Sequence, residues 1–462
     1  MIRALLHSAA VAGLIAAPLA QARTKAPPVA DIPARFDVAA SDAALPAYGY
    51  AQVLADPRLV RVIDLALAHN QDLSAAMANV EAARAQARIA GAPLLPQIDA
   101  SAGFNHGDGD GRYTSGASTK GDLVSLSGSV ASYELDLFGR VHGLAAAGRA
   151  QYLAQGAAMR AARITLIANV ANGWLQLAAD RSLLQLAQDT AASARQSVAL
   201  TTRRVAGGIA PLADQRKAEL TLRQAEADIA AQTTAVAQDL NNLRLLAGTD
   251  VPADALPSGI DDAAARLTAV APGLDSAVLL RRPDVVQAEF LLRAADANVD
   301  AARAALFPKI TLTAVAGTAS LALSSLFTGG SFAFGGGGTL SYPIFRNGAL
   351  RNAAKQAQAQ RDAATAAYRK AVQAAFTDVA NVLARRATIE AQLTAQSGAR
   401  DAAADNWRLT DRRYRGGVGT WLDALSAQQS LYAAEKTLVA ARLSRGANLV
   451  ALYRAVGGET AQ

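Results

Sequence analysis

The sequence predicts a mainly α-helical chain with a transmembrane β-barrel portion, built by internal duplication around long coiled-coil helices. Three observations predict it: two halves that repeat one another, long proline-free stretches, and short segments that alternate with period two. Of 462 residues, 52% are apolar and only 18% charged, below the roughly 25% charged of an ordinary soluble domain. Aromatics make up 5%, so the apolar share comes mainly from Ala, Leu and Val, which suits close-packed helices.

The duplication is the strongest signal. Ala90 to Ala102 (AGAPLLPQIDASA) matches Ala302 to Ala314 (ARAALFPKITLTA) at an offset of 212, with Pro96 over Pro308 and Ile98 over Ile310. Farther on, Arg203 to Asp214 (RRVAGGIAPLAD) matches Arg412 to Asp423 (RRYRGGVGTWLD) at an offset of 209. The same offset puts Asn172 over Asn381, Glu226 over Glu435, Leu243 over Leu452 and Gly248 over Gly457. Landmarks at nearly constant spacing over about 170 residues define a repeated unit.

In each unit a helical run stops at Pro96 or Pro308, since proline lacks the N–H and biases the residue before it toward extended backbone. Beyond each proline the chain alternates. Ile98, Ala100, Ala102 and Phe104 fall on one face, and Gln97, Asp99, Ser101 and Asn105 on the other. A polar loop from His106 to Gly121 leads to a second strand, where Val124, Leu126 and Val130 alternate with Ser125, Ser127 and Ser129. The second unit offers Ile310, Leu312, Ala314 and Ala316, then Phe332, Phe334, Leu340, Tyr342 and Ile344 in a Gly-rich partner. Four strands result, each near the ~9–11 residues of a tilted transmembrane strand. Small polar residues opposite apolar ones suit a wall with water on one side and lipid on the other. Ten of the twenty Phe and Tyr residues lie within 97–138 and 307–345, resembling an interfacial girdle. The competing reading is a small soluble hairpin pair packed on helices. Four strands cannot close a barrel with a lumen, so the barrel reading requires an oligomer.

Gly139 to Arg204 and Asn347 to Arg413 are proline-free; each stretch, about 67 residues long, would run ~100 Å as a helix. The Gly-Gly pairs at Gly207-Gly208 and Gly416-Gly417 reverse the chain, and a return helix of ~40 residues leads to Gly248 or Gly457. The ~20-residue helices before Pro96 and Pro308, stacked on the return helices, would roughly match one long helix. Leu222, Ile229, Val236 and Leu243 form a heptad seam with Ala218 and Ala225, answered by Leu431, Leu438 and Leu452 with Ala427, Ala434 and Ala441. Gln232, Asp239 and Arg445 interrupt it. Repeated heptads favour left-handed coiled-coil packing, and alanines let helix axes approach. A solid bundle is the alternative, but a ~100 Å bundle that sprouts a β-barrel is more economically a tube.

Several functions are disfavoured. The net charge of +7, from 45 basic and 38 acidic residues, is spread along the chain, without the basic cluster that nucleic acid requires. Cysteine is absent, which removes disulfides, thiol nucleophiles, thiolate metal sites and lipid attachment through Cys. His7, His69, His106 and His142 stand apart, with no metal-ligand spacing, phosphate loop or nucleophile elbow. No enzyme, cofactor or metal is expected. The DGDG stretch, Asp108 to Gly111, lacks the closing acidic ligand of a calcium loop and reads as an exposed polar loop. Residues 1–22 combine Arg3, an apolar stretch and Ala20-Gln21-Ala22, which predicts a secretory signal cleaved before Arg23. No other stretch approaches ~20 uninterrupted apolar residues, so a membrane crossing would have to be a closed β-barrel.

The segments YELDLFGR (Tyr133 to Arg140), LLRRPDVVQAE (Leu279 to Glu289), FPKI (Phe307 to Ile310), YPIFRNG (Tyr342 to Gly348) and RYRGGVGTWLDALSAQ (Arg413 to Gln428) resemble the TolC-like outer-membrane efflux proteins. The type is the NodT/OprM outer-membrane factor of tripartite, RND-type pumps, and the resemblance covers essentially the whole mature chain. It implies a homotrimer whose strands pool into one 12-stranded barrel in outer-membrane lipid and whose helices form a periplasmic α-barrel. It implies a passive exit duct for drugs or other small molecules, served by an inner-membrane transporter and a periplasmic adaptor. Arg281, Arg282, Pro283 and Asp284 then look like the structural start of the helix into the second hairpin, with Pro in the first turn and Asp at the dipole. Two departures stand out. Relatives commonly carry a lipid-modified Cys after the signal, whereas AQA is followed here by Arg23, so the chain looks unlipidated. Where OprM-like relatives often have Asp after the Gly-Val of the second turn, this chain has Gly419.

The expected division is a signal at 1–22, an N-terminal and equatorial segment at 23–72, an α-barrel helix at 73–96, hairpin 97–138 in the membrane, and helical hairpin 139–248. The second unit runs through linker 249–283, helix 284–306, membrane hairpin 307–345, helical hairpin 346–456 and tail 457–462. The functional end is expected at the two turns. Gly207, Gly208, Gly416, Gly417, Gly419 and Thr420 are the candidates for the periplasmic tip and adaptor docking. Asp214, Tyr414, Arg415 and Asp423 are candidates for a latch between hairpins; Asp214 and Asp423 alternatively serve only the dipoles of their return helices. The residues leave open two further functions, the exit duct of a type I protein secretion system and a periplasmic coiled-coil adaptor or scaffold.

Overall fold

A computed structural model describes residues 49–107, 121–264 and 276–458. The expected signal segment with its cleavage site, and the DGDG stretch, lie outside the described residues. The chain order begins α1 (Tyr50–Val53), α2 (Pro57–His69), α3 (Gln71–Gly91), β1 (Asp99–Gly107), β2 (Gly121–Leu135), α4 (Arg140–Ala206) and α5 (Leu212–Ala247). It continues α6 (Ile260–Ala264), α7 (Pro283–Ala304), β3 (Lys309–Ser320), β4 (Phe332–Ser341), α8 (Ala349–Arg415) and α9 (Trp421–Ala455).

The long helices α4 and α8 each span 67 residues, about 100 Å at 1.5 Å per residue. The short helices complete a matching length by end-to-end stacking. At the first joint Asn70 caps α3, its Oδ1 accepting from Leu73 N at 2.9 Å, while its Nδ2 donates to the Leu246 carbonyl near the end of α5 at 2.9 Å. At the second joint the Arg282 Nη1 donates to the Ala455 carbonyl at the end of α9, also at 2.9 Å. The offsets of the repeat superpose Asn70 on Arg282 and Leu246 on Ala455, so both units splice their helices through the same carbonyl with a different side chain.

Two cores hold these joints. One gathers α1, α2, α4, α5, α6 and α9 around Trp174, fully buried, whose Nε1 donates to the Ala255 carbonyl at 3.0 Å. The other joins Leu279, Val285 and Leu292 to Tyr368, Val372, Val379 and Leu383 of α8 and to Leu452 of α9. Ala218, Ala225 and Leu243 of the first seam are buried, as are Ala427, Leu438, Ala441 and Leu452 of the second.

The strands form one antiparallel sheet in the order β1-β2-β3-β4. β2 pairs with β3, so the hairpins of the two units lie side by side, with an irregularity in register between Val130 and Tyr133. Directly paired residues share a face. Phe104 opposite Val124, Val130 opposite Ala314 and Ala316 opposite Phe334 make one face apolar. Ser101 opposite Ser127 and Thr311 opposite Thr339 make the other polar, with the two serine Oγ atoms 2.9 Å apart.

Candidate functional site

The two hairpin turns stand at one end of the helices, each closed by backbone geometry. Gly207 N donates to the Arg203 carbonyl and Ile209 N to that of Arg204; Gly416 N donates to Arg412 and Val418 N to Arg413. Gly208 and Gly417 take φ of 71° and 79°, the left-handed region where a side chain would be strained. Gly419 is constrained by space. A Cβ there would lie 3.1 Å from both Tyr414 N and the Arg413 Cβ, so an aspartate at this position would need those neighbours to give by a few tenths of an ångström. Thr420 caps α9, its Oγ1 accepting from Asp423 N at 3.1 Å.

The four latch candidates behave differently within one chain. Tyr414 is buried against Trp421, Ala424, Leu425 and Ala218, joining the second helical hairpin to the first. Its ring lies 5.2 Å from that of Trp421, and the Arg204 guanidinium sits 4.6 Å over its face, a cation–π contact. Arg415 is held by its own helix, paired with Asp411 at 2.9 Å. Asp214 lies in the first turn of α5 with its N–H on the Pro211 carbonyl, and Asp423 lies in the first turn of α9. Only Tyr414 of the four bridges the hairpins among the described contacts.

Further bridges run up the seam from the tip. Tyr432 donates to Asp228 Oδ2 at 2.6 Å, and Gln428 Nε2 donates to Ser193 Oγ at 3.1 Å. Burial first, and then the Asp228 carboxylate, hold the Tyr432 phenol above its ordinary range. Sequence reasoning missed Arg204, Trp421, Asp228 and Tyr432. The available signal was the rarity of aromatics: a Tyr or Trp in an Ala-rich helix marks a contact that alanine cannot make.

The Arg281–Asp284 segment stands at the opposite end of α9. Arg282, 7% exposed, grips Asp284 with Nε at 3.0 Å and Nη2 at 2.7 Å, and reaches Asp378 of α8 at 3.1 Å. Burial acts to raise the Asp284 carboxyl, but the Arg282 guanidinium outweighs it and holds it below the usual range. Pro283 occupies the first turn of α7, and the Arg281 backbone closes the short 3-10 turn before it. Among the described residues no group of His, Asp and Glu is arranged to hold a metal, and no helix is long and apolar enough to cross a membrane.

A two-faced sheet of four strands, set on paired 67-residue helices that turn back together far from it, is the wall of a membrane channel. The chain belongs to the family of outer membrane efflux proteins, which it matches over residues 62–249 and 274–458, one match to each unit. It is 39% identical over 428 residues to the probable efflux pump outer membrane protein TtgC of Pseudomonas putida, covering 92% of this chain and 88% of that one. Outer membrane protein OprJ of Pseudomonas aeruginosa is 36% identical over 434 residues, 94% of this chain and 91% of that one. Among solved structures, the open state of the Neisseria gonorrhoeae MtrE outer membrane channel superposes with a TM-score of 0.85 at 34% identity, covering 94% of this chain and 97% of that one. The fold is therefore the α-barrel plus β-barrel of outer-membrane efflux channels. The chain resides in the outer membrane, with its helical tunnel extending into the periplasm.

Proposed function

We propose that three copies of this chain form the exit duct of a tripartite efflux pump, receiving substrate through a periplasmic adaptor from an inner-membrane transporter. The observation that carries the assembly is the open four-stranded sheet, apolar on one face and polar on the other. Four strands per copy give twelve in a trimer, enough to enclose an aqueous lumen. We assign residues 97–138 and 307–345 to the membrane barrel and 139–248 and 346–456 to the tunnel. TtgC is a probable efflux pump component by name and MtrE is an outer membrane channel, which favours small-molecule efflux over a protein-secretion duct or a periplasmic scaffold.

The chain supplies a wall and no source of free energy, so the transporter drives transport and chooses cargo. We assign adaptor docking to the tip around Gly207, Gly208, Gly416, Gly417, Gly419 and Thr420. Closure is assigned to Tyr414, with Arg415, Asp214 and Asp423 as groups that meet neighbouring hairpins around the ring. Exposed pairs are worth only ~0–1 kcal/mol each, so closure needs several repeated around it. The test is complementation of a strain lacking its own outer-membrane efflux channel, with the stoichiometry of the purified protein measured in detergent. Restored drug efflux by a trimer is expected; a monomer, or a trimer that supports no efflux with any co-expressed adaptor and transporter, would overturn the proposal.

A further inference from the structure

We propose that the outer edge of β4 pairs antiparallel with the outer edge of β1 in a second copy of this chain, in the register that sets Leu340 opposite the partner's Ala102 and Gly338 opposite the partner's Phe104. The inference rests on the trimer proposed above and names the contact that closes it. β1 and β4 stand at the two edges of the sheet. Each edge carries a row of backbone N–H and C=O groups that lipid cannot satisfy, so an edge within the membrane must find another strand.

The duplication supplies the register. β2 and β3 already join one unit to the other within the chain, so β4 and the partner's β1 repeat that junction. Asp99 pairs with Ser129 as Thr311 pairs with Thr339, which lays β1 on β3 at an offset of 212 and β2 on β4 at an offset of 210. Past the irregularity between Val130 and Tyr133 the second offset falls to 209, Tyr133 over Tyr342, because β2 holds one residue more there than β4. Carried across, the pair Val130 and Ala314 becomes Leu340 with the partner's Ala102. In the same way Tyr133 and Leu312 become Tyr342 with the partner's Ala100, and Leu135 and Ile310 become Ile344 with the partner's Ile98. All three transfers agree on a single register without the irregularity.

Two features not used in that transfer agree with it. The first is the direction of the backbone groups, which alternates along an antiparallel strand. Ala319 N donates to the Ser331 carbonyl at 2.9 Å, so the odd-numbered residues of β4 bond to β3 and the even-numbered ones face the open edge. The same alternation, followed through β3 and β2, turns the even-numbered residues of β1 outward. Leu340, Gly338, Ala102 and Phe104 are all even-numbered, so outward groups meet outward groups. A slip of one residue would break this match and reverse the faces. Pro343, which has no N–H, falls on an odd position and costs the edge no donor.

Side-chain size is the second feature. At the junction within the chain Gly128 faces Ala316 and Leu126 faces Thr318. At the corresponding places between copies the β1 side is larger, with Phe104 and His106, and the β4 side is smaller, with Gly338 and Gly336. Bulk on one edge is thus answered by glycine on the other, and an aromatic ring over a facing glycine shields its bare backbone. In the single chain Phe104 is 66% exposed, Ile98 79% and Ile344 89%. The register sets Phe104 over the glycine run and brings the two isoleucines together.

The chain has no cysteine, so an introduced pair reports alone. The register sets Ser341 opposite the partner's Ser101 on the polar face, in a pair without ladder hydrogen bonds, where Cα atoms lie about 4.5 Å apart and a disulfide fits. Within one chain these serines belong to the two opposite edge strands, so a bond between them joins copies. A slip of two residues displaces a partner by about 7 Å along the strand and takes the pair out of disulfide reach. Mild oxidation of the detergent-purified full-length trimer is expected to link Ser101→Cys/Ser341→Cys into covalent dimers and trimers on a non-reducing denaturing gel. Asp99→Cys/Ser341→Cys and Gly103→Cys/Ser341→Cys should stay largely unlinked. A trimer linked best through a slipped pair, or through none of the three, would overturn the register and leave the exit-duct reading standing, whereas a monomeric wild type would overturn both. The dissociation temperature of the trimer reads the ring. Phe104→Ala is expected to lower it by more in wild type than in the Gly338→Ala background, because the ring shields glycine most. Equal losses would overturn the pairing of Phe104 with Gly338.

Discussion

Replacing Arg282 by Ala tests the joint between α9 and α7 most directly. The substitution removes two bonds to Asp284, one to Asp378 and the one to the Ala455 carbonyl. Breaking a buried ion pair from one side costs about 3–5 kcal/mol. Both carboxylates are nearly half exposed, 44% and 47%, so water recovers part of their hydration. The Ala455 carbonyl belongs to a residue only 4% exposed and has less recourse. These opposing effects place the loss at the lower end, about 3 kcal/mol, or roughly a hundredfold in opening of the joint. Arg282→Lys keeps the charge but cannot form the fork, and should lose about half as much. Hydrogen exchange in peptides covering 283–290 and 449–457 reads the opening, and the temperature at which the purified assembly dissociates gives a second measure. Wild-type protection in Arg282→Ala would refute the reasoning, because it would mean that the guanidinium's bonds add nothing to packing of the two helices.

The geometry sets three other outcomes. Gly248→Ala should lower the yield of folded protein, since its Cβ would fall 2.3 Å from the His69 carbonyl oxygen at a φ of 68°; expression level and protease resistance check this. Replacing Arg415 and Asp423 together by Ala should raise single-channel conductance and entry of large antibiotics without lowering the amount of trimer; unchanged conductance at normal trimer levels would reject both as part of the latch. Asp262 is held down at about 2, first by the Arg58 hydrogen bond and then by Ser258. Its contribution to the equatorial core is thus present above the ordinary carboxyl range and is lost as pH falls through about 2. Acid unfolding of Asp262→Asn should therefore lack that component while changing little in shape at neutral pH.

The duplication, the long helices and the four strands were legible because each rests on local pattern: proline positions, heptads and period-two alternation. The pairing of β2 with β3 was not, since its register joins residues of different units, such as Val124 with Ser320, and no turn connects them. The tip was legible as a pair of glycine turns. Its chemistry was less so. Tyr414 and Arg415 are adjacent in sequence, yet helical geometry sends one into the inter-hairpin core and the other back to Asp411. Arg204 is 210 positions from Tyr414, so only the packed structure brings its guanidinium over that ring. Gln232 and Asp239 were visible as breaks in the seam, but only the packed structure shows that each buries a side-chain oxygen there.

Length varies between the two units in one place only. The offset is 212 up to the prolines that precede the strands and 209 from the starts of α4 and α8 onward, so the units differ in length within their β-hairpin segments. The helices hardly differ: 67 residues against 67, 36 against 35, and 21 against 22. One residue inserted within a helix turns everything beyond it by about 100° and advances it by about 1.5 Å. Ala218 or Leu243 would leave the seam, and the carbonyls of Leu246 or Ala455 would miss Asn70 or Arg282. A strand-connecting loop absorbs extra residues at small cost because its backbone faces water. Helix length is thus fixed at both ends, by the splice joints and by the tip where Tyr414 must meet Ala218, while length variation is confined to the β-hairpin segments. In the proposed trimer, that constraint would bring all six helical hairpins to one plane, the condition for adaptor docking and closure to act on a common ring.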